Sequence, residues 1–426
     1  MKKLLSVLSV LLVAVMLLTA CSKPANNGGS TTTSGNSEYA GIGEGKTLVY
    51  WCEWNESETQ WEVYKETIAR FEADTGYTVQ VEHYGRDIST LYAAAIDNGK
   101  VIDIFDMNAT RPKEGYCVDI DAKMEELGVK DAILPIYDNY EKSVSPFGDD
   151  KWYAVPSQPF FGGVFYNKDI FDQAGITELP TTWDEFMDAC EKIKAIGVAP
   201  MTIDDAYVEL LITYQMCLGL GGQEEVEKLV NSFGDEWNKT LPVIEKFQEM
   251  YEKGYFASTV GGNQFPAAQN GEFAMGTAAM YFDGSWVCNE VHDITGDDFN
   301  WGFLLWPSST TDEYKAIEAS CQQICVSPTS QDVDGACLLL KYMIDAQTCA
   351  GLRDKCQCIP VVDGVDWPAA LADVKTMSNE AELVLPWNVY TTNTDDVTTL
   401  MRTNFHKVIG GTMSAKDFVA SMVAGK

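Results

Sequence analysis

Between residues 47 and 105 the hydrophobic pattern alternates between two periods, and that alternation limits the chain to few folds. Thr47-Leu48-Val49-Tyr50-Trp51 is a run of β-favouring residues and predicts a first strand. Residues 58–75 follow with Trp61, Tyr64, Ile68 and Phe71 near helical spacing. Gly76 stops that helix, and residues 78–81 begin a second strand. A helix over 89–98, a glycine at position 99 and a strand over 101–105 repeat the theme. Strand, helix, strand, helix, strand is the order of a mostly parallel sheet covered on both faces, so the chain reads as α/β.

The rest is richer in helices. Thr182 and Glu185 have the spacing of a capping box, which opens a helix ending near Gly197. Further helices are predicted around 208–218, 224–231, 241–253, 333–344 and 396–409, and residues 199–203 read as a strand. No internal repeat of the roughly 20–50-residue kind is present.

The start of the chain is of another character. Lys2 and Lys3 precede an apolar run over residues 4–18, too short for the roughly 20 residues that span a bilayer. That is the form of a secretory signal. Its end, Leu18-Thr19-Ala20-Cys21, resembles the lipobox of bacterial lipoproteins, in which the cysteine is acylated and becomes the new N-terminus. The resemblance implies a signal peptide over 1–20 and a lipid on Cys21 that holds the protein on the outer face of the cell membrane. Residues 21–46 are rich in Gly, Ser, Thr and Asn and read as a flexible linker. About 380 residues remain, too many for one ordinary core and enough for two lobes.

The 63 acidic and 30 basic residues give a net charge of −33, and loss of Lys2 and Lys3 with the leader takes it to −35. Nucleic acid is excluded as a partner because such a surface repels phosphate. With Cys21 lipidated, eleven of the twelve cysteines remain, an odd number that cannot all pair internally. Most read as small buried hydrophobes, with one or two disulfides allowed by the count. Neither they nor the three histidines form a metal-ligand pattern, and no cofactor motif stands out.

Several blocks resemble the family 1 extracellular solute-binding proteins, the substrate-binding lipoproteins of bacterial ABC sugar importers. They are Phe71-Glu-Ala-Asp-Thr-Gly76 with Val79-Gln-Val81, and Ala93-Ala-Ala-Ile-Asp-Asn-Gly99 with Asp103-Ile-Phe-Asp106. Tyr153-Ala-Val-Pro156, running into Phe165-Tyr-Asn-Lys168, and Pro180-Thr-Thr-Trp-Asp-Glu-Phe186 are the most specific. Asp283-Gly-Ser-Trp286 and the C-terminal Met413–Met422 stretch complete the set, in the family's order. The resemblance implies a two-lobed periplasmic-binding-protein-like fold of type II, hinged through about three chain crossings near Gln158, Ser308 and Val362. The lobes would comprise 47–157 with 309–362, and 158–308 with 363–426. It also implies a monomer that is no enzyme, with a carbohydrate ligand and the permease subunits of an ABC importer as partners.

A sugar offers hydroxyls around a ring with apolar C–H faces, so its site pairs aromatic platforms with Asp, Asn, Gln and Glu. In open α/β sheets ligands lie beyond the carboxyl ends of strands. Those positions hold Trp54, Asn55 and Glu56 after the first strand, Tyr84 after the second, and Asp106 and Asn108 after the third. Gln158 lies at a crossing, Asp204 and Tyr207 follow the 199–203 strand, and Trp286 and Trp387 sit in blocks the resemblance places on the cleft wall. Each has a plainer reading: Trp54 packing on its own lobe, Asp106, Asn108 or Asp204 capping a turn, Gln158 bridging backbone groups. Trp61, Trp183 and Trp237 occupy helical positions and read as packing. Two rivals stay open. One is a binder of another solute, such as a polyamine or peptide. The other is a surface glycoside hydrolase, which needs only two acids about 5–10 Å apart.

Overall fold

The computed structural model describes residues 38–107, 112–203, 208–262, 267–310, 315–381, 383–386 and 395–426. In it β1 (Thr47–Cys52) lies between β2 (Thr78–His83) and β3 (Ile104–Asp106), parallel to both. The helices Thr59–Thr75 and Ile88–Asp97 make the crossovers. Gly76 ends the first of them at φ 80°, a left-handed cap that favours glycine, and its N–H bonds Glu72 O. Side chains alternate along β1 as the pleat requires. Leu48, Tyr50 and Cys52 join a core with Tyr64, Ile68, Phe71 and the helix Val333–Met343. Trp51 enters a second core on the other face, with Ile88, Tyr92 and Ile96.

Two long antiparallel strands carry this half of the sheet into another. They are β4 (Val155–Asn167) and β8 (Ala316–Val326), paired from Val155↔Ile324 to Gly162↔Glu318. The end of β8 also pairs with β3. The later part of β4 pairs with β6 (Ala278–Gly284) and β7 (Trp301–Leu304), while β5 (Ala199–Ile203) runs parallel beside β6. The start of β8 pairs with β9 (Leu383–Pro386), which completes one nine-stranded sheet. This second half also has a core on each face. Met280 and Phe282 meet Trp183, Trp237, Phe247 and Trp306, and Tyr281 meets Phe161, Phe165 and Phe303.

Trp183 and Trp237 are buried, and Trp61 is half-buried with its ring edge-on to His83 at 4.5 Å. The Thr182–Glu185 capping box forms and opens the helix Trp183–Ala195. One boundary is corrected: the chain is packed well before Lys46. Tyr39 lies against the first core under Lys341, Gly43 sits where a Cβ would be 1.9 Å from the Tyr77 ring, and Lys46 pairs with Asp332 at 2.8 Å. The tyrosine and the close glycine approach outweigh the polar composition around them. Among the described residues no helix is long and apolar enough to cross a membrane.

Candidate ligand-binding site

The parallel arrangement brings the carboxyl ends of β1, β2 and β3 side by side. There the buried Asp106 carboxylate accepts from Tyr50 Oη at 2.7 Å and from the Glu53 N–H at 2.8 Å through the same oxygen, Oδ2. Burial pushes Asp106 up to about 7, against those hydrogen bonds and the Arg86 charge, which act downward. The Glu53 carboxyl is buried beside it, with no hydrogen-bond partner at Oε2. Burial, then the neighbouring Asp106, drives it well above the ordinary carboxylate range, opposed by Arg86.

Arg86 organises the rim of this pair. Its guanidinium donates to Glu53 O at 2.8 Å and to both Glu58 oxygens, at 3.0 and 2.7 Å, and lies 4.6 Å from the centre of the Trp54 ring. Trp54 is only 5% exposed, packed into the first core with the guanidinium over it. Asn55 binds Glu58 Oε2 through its backbone N–H (2.7 Å) and its amide (2.9 Å), and Glu56 is exposed. Tyr84 is not part of this group. It packs on Trp51 at 4.0 Å, on the other face of the sheet, and its hydroxyl joins Glu82 (2.8 Å) and Lys100 (3.0 Å).

In the second half, the carboxyl end of β6 runs into Asp283-Gly284-Ser285-Trp286. Ser285 N–H bonds Phe161 O at 2.9 Å, which fixes this turn to β4. Trp286 is half-buried and meets Phe160 edge-on at 5.0 Å. One turn on, Glu290 accepts from the Asn270 amide at 3.1 Å. Burial raises the Glu290 pKa, while the Asn270 hydrogen bond and then the Arg86 charge work the other way. Arg86 therefore acts on carboxylates of both strand-end groups.

Gln158 is buried in β4, where its amide donates to Tyr64 Oη at 3.0 Å and its oxygen accepts from Cys358 Sγ at 3.2 Å. It joins three chain segments by side-chain rather than backbone contacts. Two further buried acids lie along β8: Glu318, opposite Gly162 and raised by burial, and Glu141, raised by burial against a 2.6 Å bond from the Gln323 amide. Asn108, Asp204, Tyr207 and Trp387, with Cys21, lie outside the described residues. Among the described residues no group of three or more His, Cys, Asp or Glu is placed to hold a metal ion. A cavity of about 570 Å³ among Lys168, His292, Trp301, Arg353 and Trp367 includes none of the expected site residues.

The structure thus groups Trp54, Asn55 and Asp106 around Arg86, and adds Glu53, Arg86, Asn270 and Glu290, which the sequence reading passed over. Glu53 and Arg86 had a signal, since they stand one and three residues past a strand end. Asn270 and Glu290 had none, because only the fold brings their helices together.

A family model described as bacterial extracellular solute-binding protein matches residues 66–397. The chain is 25% identical over 348 residues to the diacetylchitobiose binding protein DasA of Streptomyces coelicolor, covering 78% of this chain and 77% of that one. It is 26% identical over 175 residues to the putative ABC transporter periplasmic-binding protein YcjN of Escherichia coli, covering 40% of this chain and 38% of that one. Among solved structures, a chitin oligosaccharide binding protein superposes with a TM-score of 0.72 at 20% identity, covering 89% of this chain and 97% of that one. A sugar transporter from Bacillus licheniformis in complex with stachyose gives 0.69 at 16% identity, over 89% and 98% of the two chains.

Proposed function

Because the chain belongs to the bacterial extracellular solute-binding proteins, a family of binding proteins rather than enzymes, we propose that it captures a sugar or oligosaccharide between two lobes and delivers it to an ABC importer. The observation that carries this reading is the pairing of a half-buried indole with amide and acid groups at strand ends. Trp286 lies one turn from Glu290, to which the Asn270 amide donates, and Arg86 links that group to Glu53, Trp54 and Asp106. An indole face suits sugar C–H groups, and the acids suit hydroxyls. Asn55, Glu56, Asn108, Asp204, Tyr207 and Trp387 are further proposed contacts. The sugars named for DasA and for the stachyose complex support the same ligand class.

In this reading the two halves of the sheet are the lobes. The hinge runs through β4 at the register shift between Pro156 and Gln158, through β8, and through residues 358–362. The crossing expected near Ser308 moves downstream. Ser309 N–H bonds Gln215 Oε1 at 2.9 Å in the second half, while Ile324 already pairs with Asp106 in the first, so the strand passes between lobes before Ile324. In the third segment Ile359 packs with the second half and Val361 with the first.

The protein works outside the cytoplasm as a monomer, on a lipid carried by Cys21. Cys21→Ala should leave the chain unacylated and out of salt-washed membranes; retention there would remove the anchor from the reading. Ligand class is decided by thermal shift of the mature protein against mono- and oligosaccharides, polyamines and peptides. A ligand at 100 times its Kd contributes about 2.7 kcal/mol, enough to raise Tm measurably. A shift with polyamines or peptides and none with saccharides would overturn the sugar assignment.

A further inference from the structure

Cys117 and Cys325 are 208 positions apart in sequence, yet their sulfurs lie 2.9 Å from each other in the interior of the first half. The backbone puts them there. Phe105 of β3 pairs with Cys325 of β8, and Val118 N–H donates to Val326 O at 3.0 Å, one residue beyond each cysteine. Both side chains belong to the apolar core built from Trp51, Tyr92, Phe105 and Tyr153. Burial and the neighbouring Cys117 hold the Cys325 thiol well above its ordinary pKa, so this thiol is costly to ionise where it lies. An extracellular protein meets oxidants that cytosolic thiols do not.

We propose that Cys117 and Cys325 are joined as a disulfide in the secreted protein, a covalent modification that ties the segment following β3 onto β8. The stretch that opens with Met107, whose N–H donates to Gln323 O of β8 at 2.9 Å, then ends on the same strand, at Cys325, by a bond. It leads directly from Asp106, so the bond holds the carboxyl end of β3 in place at the candidate site. The reaction takes two steps with an external disulfide, either an oxidised thiol–disulfide oxidoreductase or a low-molecular-weight disulfide. One cysteine thiolate attacks that disulfide and displaces one thiolate. The other then attacks the mixed disulfide and displaces the second. Two protons pass from the cysteines to the two leaving thiolates, the cysteine pair loses two electrons, and the external disulfide gains them. Burial means this happens before or during folding.

The test uses the mature chain purified without reductant, denatured, alkylated and digested. The expected product is one linked pair of peptides containing Cys117 and Cys325, lighter by two hydrogens than the sum of the free peptides and cleaved by dithiothreitol. Recovery of both cysteines fully alkylated without reduction would overturn the proposal. A second measurement compares the wild type with the Cys117→Ser/Cys325→Ser protein. Dithiothreitol should lower the wild-type Tm by about 3–6 °C and leave that of the double variant unchanged. An equal fall in both would place the reducible bond elsewhere and overturn the assignment.

Discussion

The indole of Trp286 lies directly against Gly284: a Cβ on that glycine would be 2.2 Å from Cζ3 and 2.3 Å from Cη2. The glycine is therefore a spatial requirement of the indole's position, two residues along the same turn. Gly284→Ala should push the ring away from Phe160 and weaken sugar binding without touching the ligand itself. Trp286→Ala should cost about 2 kcal/mol or more of binding, about thirtyfold in Kd. Trp183→Ala is the control, because Trp183 is buried among Phe186, Phe247 and Trp306 and its loss should cost about 3–5 kcal/mol of stability. Calorimetry with the sugar found by screening, alongside Tm of the free proteins, separates the two. Unchanged affinity in both the Gly284 and Trp286 variants would take this turn out of the site.

Asp106 gives the protein a pH dependence whose sign is fixed. Its value in the folded chain, about 7, lies above that of an unfolded aspartate, about 4. The folded state thus binds the proton more tightly, and the stability this group contributes is full below pH of about 4 and lost as pH rises through about 7. Asp106→Asn keeps an oxygen to accept from Tyr50 and Glu53 and removes the titration. The Tm of the wild type should fall relative to the variant between these two pH values. Glu141 and Glu318, also raised by burial, remain in both proteins and cancel in the comparison, whereas Glu53, raised in part by the Asp106 charge, changes with it, so the difference reports the Asp106–Glu53 pair. Parallel Tm profiles would mean that the Asp106–Glu53 pair titrates no differently on folding.

Gln158 should matter to stability more than its size suggests. Truncation to alanine leaves the buried Tyr64 hydroxyl and the Cys358 thiol without this partner, and stranding a buried polar group costs about 1–3 kcal/mol. Urea unfolding of Gln158→Ala should show that loss, whereas a midpoint equal to the wild type would mean water replaces the amide at no cost.

What the sequence revealed and what it hid have separate physical causes. The first strands and helices are local: Trp61, Tyr64, Ile68 and Phe71 repeat at helical spacing, and Gly76 caps where only a left-handed residue fits. The same holds for the Thr182–Glu185 capping box. The two strands that unite the sheet were not legible. β4 contains Pro156, Pro159, Gly162 and Gly163, residues of turns, and is held extended by pairing with β6, β7 and β8. Gly163 is explained only by the Phe303 ring, 2.5 Å from where its Cβ would lie. Strand ends pointed to Trp54 and Asp106 from sequence alone, and the family resemblance pointed to the Trp286 turn. The guanidinium over Trp54 and the turn of Tyr84 toward Trp51 depend on side-chain partners distant in sequence, Glu58 with Arg86 and Glu82 with Lys100.

Lobe closure is the last expectation, and Arg86 is where it can be probed. If ligand draws the halves together through β4, β8 and residues 358–362, small-angle scattering should give a smaller radius of gyration at saturating sugar, with molecular mass unchanged. Arg86 opposes the burial-driven rise in the pKa of Glu290 in the second half and of Glu53 in the first, so in this reading its charge helps hold the halves together. Arg86→Met keeps an unbranched chain over Trp54 and removes the charge. That variant should bind sugar more weakly and need a higher concentration for the same contraction, with the fully liganded radius close to wild type. Added salt should weaken wild-type binding more than that of Arg86→Met, because the Arg86 attraction that salt screens is missing from the variant. Identical scattering with and without tightly bound sugar would rule out closure, while contraction with the same affinity in Arg86→Met would leave closure standing and remove Arg86 from it.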